Sequence, residues 1–223
     1  MKQTIDGIDY CFKDSDLLEE ALTHRSIGSF NNERLEFLGD SVLNMVVAAR
    51  LFERYPKSSE GDMSRMRARL VRGATLAEIA AGIGLGRQVA MGSGELKSGG
   101  FRRSSILADS FEAVLGAIYR DGGFEACRDV ILGFFDPLIE DLPHADQLKD
   151  AKTRLQEWLQ ARGRPLPAYS LLHEDGADHS KTFYVSCRLP DDGVESQESG
   201  DSRRKAEQAA AAAMLGLLQA PEP

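Results

Sequence analysis

The segment from Asn31 to Val46 places acidic and aliphatic residues at spacings that only a helix sorts into two faces. At about 100° per residue, Glu33, Glu36 and Asp40 fall within about 60° of one another. Leu35, Leu38, Val42 and Val46 gather on the opposite side. One face therefore enters a core, and the other carries three carboxylates close together. Like charges at that spacing repel and destabilise a helix. A hard divalent cation with oxygen ligands is the natural group to offset the repulsion.

A second segment repeats the arrangement. In Ser104–Ala113, Asp109 and Glu112 form an i, i+3 pair, while Phe111, Val114, Leu115 and Ile118 lie on another face. Ala113 and Gly116 flank the acids, and small residues there let another backbone or a bulky ligand approach closely. Taken singly, each acidic face is most simply a solvated one. Two such helices, with no nearby lysine to pair the acids, instead predict an all-carboxylate metal cage between them.

These segments also resemble a known family. Asn32-Glu33-Arg34-Leu35-Glu36-Phe37-Leu38-Gly39-Asp40-Ser41 is similar to the signature of ribonuclease III, the double-strand-specific RNA endonucleases. Leu22–Ser26, Glu60–Ser64, Gly94–Gly100 and Ile106–Ser110 resemble the bacterial enzymes as well, and the likeness runs from about residue 5 to 219. It implies a metal-binding set of Glu36, Asp40, Asp109 and Glu112, with Asp40 and Glu112 the most critical for catalysis. Glu33 and Glu60 match further acidic positions of the family, with a supporting role in substrate or subunit contacts. The resemblance also implies magnesium as cofactor, with manganese as a substitute, and a homodimer whose two sites share one cleft. Phe37, flanked by the acids, is then expected at the dimer interface. Processing of ribosomal, messenger and other structured RNA precursors is the implied biological role.

The remaining chemistry agrees with a metal-dependent hydrolysis. Cutting a phosphodiester needs a nucleophile, charge neutralisation and help for the leaving oxygen, and carboxylate-held divalent ions supply these. The four histidines (24, 144, 173 and 179) lie outside the acidic motifs, so a histidine-based mechanism is not expected. His24, between Thr23 and Arg25, is expected to make a structural hydrogen bond.

Net charge is −8, which by itself argues against a polyanionic ligand. Dividing the chain at residue 150 yields no basic half. Residues 150–223 hold 9 Lys and Arg against 12 Asp and Glu, and residues 1–149 hold 18 against 23. Nucleic-acid binding must then rest on local patches. Arg65, Arg69 and Arg72 on one helical face, and Arg102 with Arg103, are candidates in the first half. Cys11, Cys127 and Cys187 are odd in number, widely spaced and lack a CxxC pair, so no disulfide framework or zinc site is expected and a cytoplasmic location is. No apolar run approaches the roughly 18 residues of a membrane span.

The hydrophobic period changes along the chain. Residues 1–142 are predicted as an all-α endonuclease domain, with helices near 15–24, 33–54, 59–72, 74–83, 104–121 and 124–139 and a loop over 92–103. Asp121-Gly122-Gly123 is a predicted break. Residues 143–149 read as a linker. Residues 150–219 then follow α-β-β-β-α order, which resembles a small α+β double-stranded RNA-binding domain.

Such domains read duplex shape across about 16 base pairs, touching 2′-hydroxyls and phosphates. Thr153, Gln156 and Gln160 form a polar stripe able to bond 2′-hydroxyls. His179 sits at the tip of the loop between two strands. Ser202, Arg203, Arg204 and Lys205 open the last helix, where dipole and basic side chains both favour phosphate. Asp201 departs from the family, which usually has a small neutral residue there; it either opposes phosphate or caps the helix. A non-catalytic RNA-binding scaffold would be favoured had one of the four acids been lost. All four are present.

Overall fold

The computed structural model describes residues 4–142, 149–177 and 180–219. It divides into two units, the first ending at Pro143 and the second beginning at His144. Among the described residues, no helix is long and apolar enough to cross a membrane.

The first unit is helical: α1 (Ser15–Ala21), α2 (Glu33–Arg54), α3 (Glu60–Leu70), α4 (Gly73–Gly82), α5 (Ser93–Lys97) and α6 (Ser104–Glu140), with 3-10 turns at Leu85–Arg87 and Gly100–Arg102. From Ile106 to Ile118 every residue of α6 is buried except Asp109 and Glu112, which are half-buried. A helix apolar all round is a core helix, and α1, α2 and α4 pack about it. The apolar side expected at Phe111, Val114, Leu115 and Ile118 thus extends over most of the circumference. The two acids occupy its single polar gap.

Helices α2 and α6 meet backbone to backbone. A Cβ on Gly39 would stand 1.8 Å from the Glu112 carbonyl oxygen, and one on Gly116 would stand 2.1 Å from that of Leu35. This contact sets the buried face of α2 through Leu35, Gly39, Val42, Leu43, Val46, Val47 and Leu51. Leu38, expected in the core, is only half-buried because the contact line rotates the buried face toward Glu36.

The break expected at 121–123 is a single residue. Gly123 has φ 82° and ψ −176°, a non-helical conformation, and helix continues on either side. The Asp121 carboxylate just before it accepts from the Tyr10 hydroxyl at 2.6 Å and from the backbone N–H groups of Lys13 and Asp14, each at 2.9 Å. The expected loop at 92–103 contains α5 and a 3-10 turn, pieces too short to show a period in sequence. Arg103 closes this segment by pairing with Glu95 at 2.6 Å. The arginine face expected from 65 to 72 is not continuous: α3 ends at Leu70. Arg72 stands at the N-cap of α4, and Arg65 pairs with Asp62 at 2.8 Å.

In the second unit, α7 (Ala151–Gln160) and α8 (Arg203–Gln219) accompany an antiparallel sheet of β1 (Ala168–Asp175), β2 (Thr182–Arg188) and β3 (Glu195–Gly200), in that order. Tyr169 pairs with Cys187, which pairs with Ser196, and a bulge lies between Leu171 and His173. Leu155 and Leu159 of α7, Cys187 of β2, the following Leu189, and Ala210, Ala211, Met214 and Leu215 of α8 form the core. The alanines of α8 let its backbone lie close to the sheet. Trp158 packs at the edge of this core, with the Arg162 guanidinium 3.8 Å from its ring centre. Most of the expected linker, residues 143–148, and His179 lie outside the described residues.

Candidate metal centre

The α2–α6 contact decides where the acids meet. Because Gly39 abuts the carbonyl of Glu112, the carboxylate one turn before Gly39 on α2 faces the pair on α6. Ligand oxygens of Glu36, Asp109 and Glu112 lie within 4.8 Å of one another. Their donor set is all oxygen and anionic, which suits a hard divalent cation.

The electrostatics fit the same group. Burial, followed by the charges of Asp40, Glu36 and Asp109, pushes the Glu112 carboxyl up to about 8. Glu36 is raised by burial and then by Asp109, Glu33 and Asp40, with Arg25 opposing. Burial raises Asp109 too, against the lowering influence of Arg25 and His24. Without a cation the cluster therefore binds protons in its place.

Asp40 stands beside this trio rather than in it. Its side chain is exposed, and Asn44 Nδ2 donates to its Oδ1 at 2.8 Å, turning the carboxylate along α2. Its charge nevertheless acts on both Glu36 and Glu112. Glu33 is exposed and meets Arg25 at 3.4 Å. Glu60 lies apart from the cluster: it is exposed, accepts from the Ser64 hydroxyl at 2.7 Å, and lines a recess with Ala48, Phe52, Met63 and Arg67. His24 makes the structural bond expected of it, Nδ1 to Ser26 Oγ at 2.8 Å. It is also closer to the acids than sequence distance implied, since its charge reaches Asp109.

Phe37 is 77% exposed, and along α2 Met45 (61%) and Phe52 (70%) follow it at two-turn intervals. Ile27 and Phe30, just ahead of α2, are more than half exposed as well. Phe37, Met45 and Phe52 form an exposed apolar stripe outside the buried face of α2. Sequence reasoning named only Phe37. The signal for Met45 and Phe52 was the eight- and then seven-residue spacing that continues from Phe37 along α2.

In the second unit, Gln156 and Gln160 are exposed on α7, while Thr153 is half-buried and its N–H caps onto Asp150 at 2.9 Å. Ser202 Oγ accepts from the Lys205 N–H at 3.3 Å and so caps α8. Asp201 therefore does not cap; it pairs with Lys205 Nζ at 2.6 Å. Arg203 meets Glu207 at 3.1 Å, and Arg204 is exposed.

Comparison with known proteins follows the same division. A family described as Ribonuclease-III-like matches residues 14–138, and the double-stranded RNA binding motif matches residues 151–218. Ribonuclease 3 of Alkalilimnicola ehrlichii is 53% identical over 214 residues, covering 96% of this chain and 94% of that protein. A crystal structure of the ribonuclease III nuclease domain of Campylobacter jejuni aligns with a TM-score of 0.57 at 44% identity, over 60% of this chain and 92% of that one. Another structure of that domain, described as showing structural flexibility in the region involved in dimer formation, aligns with a TM-score of 0.56 at 46% identity, over 57% and 90%.

Proposed function

The chain belongs to the ribonuclease III family, and we propose that it hydrolyses double-stranded RNA at the Glu36–Asp109–Glu112 centre with divalent cations. The observation that carries this is the carboxylate trio within 4.8 Å, two of whose members are the only residues of the Ile106–Ile118 stretch of α6 that are not buried. Residues 1–142 are assigned as the endonuclease domain, 150–219 as the RNA-binding domain, and 143–149 as the linker.

Glu36, Asp109 and Glu112 would hold the cation, and Asp40, bonded by Asn44 on the exposed side, is added to the set by resemblance to the family. Asp40 and Glu112 are the acids on which catalysis most depends. Magnesium, or manganese in its place, supplies Lewis acidity at the phosphodiester and stabilises charge on the attacking and departing oxygens. Water is the nucleophile. Glu33 and Glu60 lie outside the centre and serve substrate or subunit contacts.

Duplex RNA is held by the second unit through Thr153, Gln156 and Gln160 on α7, the His179 loop, and Ser202, Arg203, Arg204 and Lys205 at the start of α8. A second copy of the chain covers the Phe37–Met45–Phe52 stripe, giving a homodimer. Three free thiols, two of them buried, accord with a reducing cytoplasm. Structured RNA precursors, ribosomal and messenger, are the substrates this assignment favours.

The test is incubation of purified protein with a long RNA duplex, with magnesium and with chelator. Cutting should require the metal, while binding of the duplex persists without it. Undiminished cutting in chelator would sink the metal mechanism.

A further inference from the structure

We propose that Arg25 is a substrate-binding residue of the cleavage centre, its guanidinium receiving a phosphate of the duplex at the rim of the carboxylate cluster. This rests on the assignment of that cluster as a metal-dependent nuclease centre.

The turn that carries Arg25 is built, not loose. The His24 N–H donates to the Ala90 carbonyl at 2.9 Å, and the Asn32 N–H donates to that of Thr23 at 2.9 Å. Ser26 Oγ accepts from the Gly92 N–H at 2.9 Å and bonds His24 Nδ1 at 2.8 Å. Gly92 lies so close that a Cβ there would stand 2.7 Å from the Ser26 carbonyl oxygen. Residues 24 and 26 are thus tied down on both sides of Arg25, which points outward and is 70% exposed.

Its present partner is a weak one. Arg25 Nη1 and Glu33 Oε1 are 3.4 Å apart, with both side chains more than half exposed. Exposed pairs of that kind contribute little and exchange readily. Glu33 lies one turn before Glu36, so the guanidinium is at the cluster's edge. It acts electrostatically on Glu36 of α2 and on Asp109 of α6 alike, which sets it on the side where the two helices bring their acids together.

A phosphodiester approaching this centre meets five carboxylates, those of Glu33, Glu36, Asp40, Asp109 and Glu112. A guanidinium carried beside them on an anchored turn offers a planar fork matched to phosphate oxygens, and the resulting bond is charge-assisted. Arg25 then exchanges Glu33 for phosphate as the duplex seats.

The alternative is that Arg25 only neutralises the acids or supports the fold, and the sign of one measurement separates the cases. Arg25→Gln removes positive charge from beside the cation site. Manganese titrated calorimetrically into the full-length variant without RNA should bind about two- to tenfold more tightly than to wild type. Cleavage of a long duplex at saturating metal should nevertheless fall about 10- to 100-fold, the loss of one charge-assisted hydrogen bond. Arg25→Lys should return metal affinity to the wild-type value while restoring cleavage only in part, because it keeps the charge and loses the fork. Binding measured in a Glu112→Gln background should show a salt slope shallower by about one.

Cleavage by Arg25→Gln within about twofold of wild type at saturating metal would overturn the proposal. So would weakened metal binding together with a lowered melting temperature, which would mark a structural role. Failure of the wild type itself to bind manganese or to cut duplex would instead overturn the nuclease assignment on which Arg25 depends.

Discussion

Replacing Glu112 by Gln should move stability and catalysis in opposite directions. In the metal-free protein burial and three neighbouring carboxylates raise Glu112 from 4.5 to about 8. A carboxyl raised on folding contributes stability that is fully present below about 4.5 and lost as pH climbs through about 8. The chelated wild type should therefore melt at progressively lower temperature from pH 5 to pH 8, whereas chelated Glu112→Gln should lack that component of the decline. Cleavage by the variant should fall by about three orders of magnitude or more, because an amide gives a hard cation no charge; near-wild-type cutting would remove Glu112 from the centre. The same proton competes with the cation, so apparent metal affinity of the wild type should rise from pH 6 to about 8 and then level, as calorimetric isotherms at each pH would show. At this scale the sequence was informative where spacing decides contact. Glu36, Asp109 and Glu112 were named from helix periodicity and resemblance, and all three meet within 4.8 Å. Arg25 and Asn44 were not found. Arg25 reaches the cluster through a turn with no period, and Asn44 acts through a bond along its own helix that a surface asparagine does not announce.

Among elements, the crossing of α2 and α6 is the most sensitive joint. Gly39→Ala and Gly116→Ala each drive a methyl into a backbone carbonyl of the facing helix, at 1.8 and 2.1 Å before relaxation. Each should cost about 3 kcal/mol or more in chemical denaturation, and by parting the helices each should weaken metal binding as well. A Gly39→Ala protein of unchanged midpoint and affinity would contradict so tight a crossing. Gly116 was legible as a site of close approach, though not what approaches it, since partner choice depends on tertiary packing. For α6 the two-faced pattern underestimated burial: an amphipathic reading cannot register that neighbours surround a helix. The start of α8 has its own balance. Asp201 holds Lys205 at 2.6 Å, so on the proposed RNA-binding role of Lys205 the pair competes with phosphate. Asp201→Asn should raise duplex affinity several-fold, within the range of an exposed ion pair, while Arg204→Glu with Lys205→Glu should remove most of it. Titration of RNA and DNA duplexes at several salt concentrations would read both effects, and a neutral response to Asp201→Asn would show that the pair does not compete with RNA.

At the level of the molecule, composition and local structure lead in different directions. A chain of net charge −8 does not advertise a polyanion ligand, and such binding must rest on local placement, as with Arg203, Arg204 and Lys205 at one helix start. With few phosphate contacts, affinity should depend on salt less steeply than for a strongly basic protein. The exposed Phe37–Met45–Phe52 stripe predicts association. Phe37→Glu, at a position 77% exposed, should leave the fold intact yet shift sedimentation from dimer to monomer at micromolar concentration; an unshifted dimer would mean the second copy sits elsewhere. Helix α5 and the 3-10 turns were too short to show a period. The α-β-β-β-α order of the second unit and the longer helices of the first were readable from sequence because period and turn chemistry are local. The membership of the stripe was not, because an apolar residue on a helix looks the same whether it meets a core or a partner. One further property comes from the residue beneath Arg162. Trp158 is the chain's single tryptophan against five tyrosines, so selectively excited emission originates in one unit alone. Far-ultraviolet ellipticity, by contrast, is dominated by the long helices of the other. The protein thus carries its own two-colour assay: a urea titration followed by both signals will reveal whether its halves melt together or in turn.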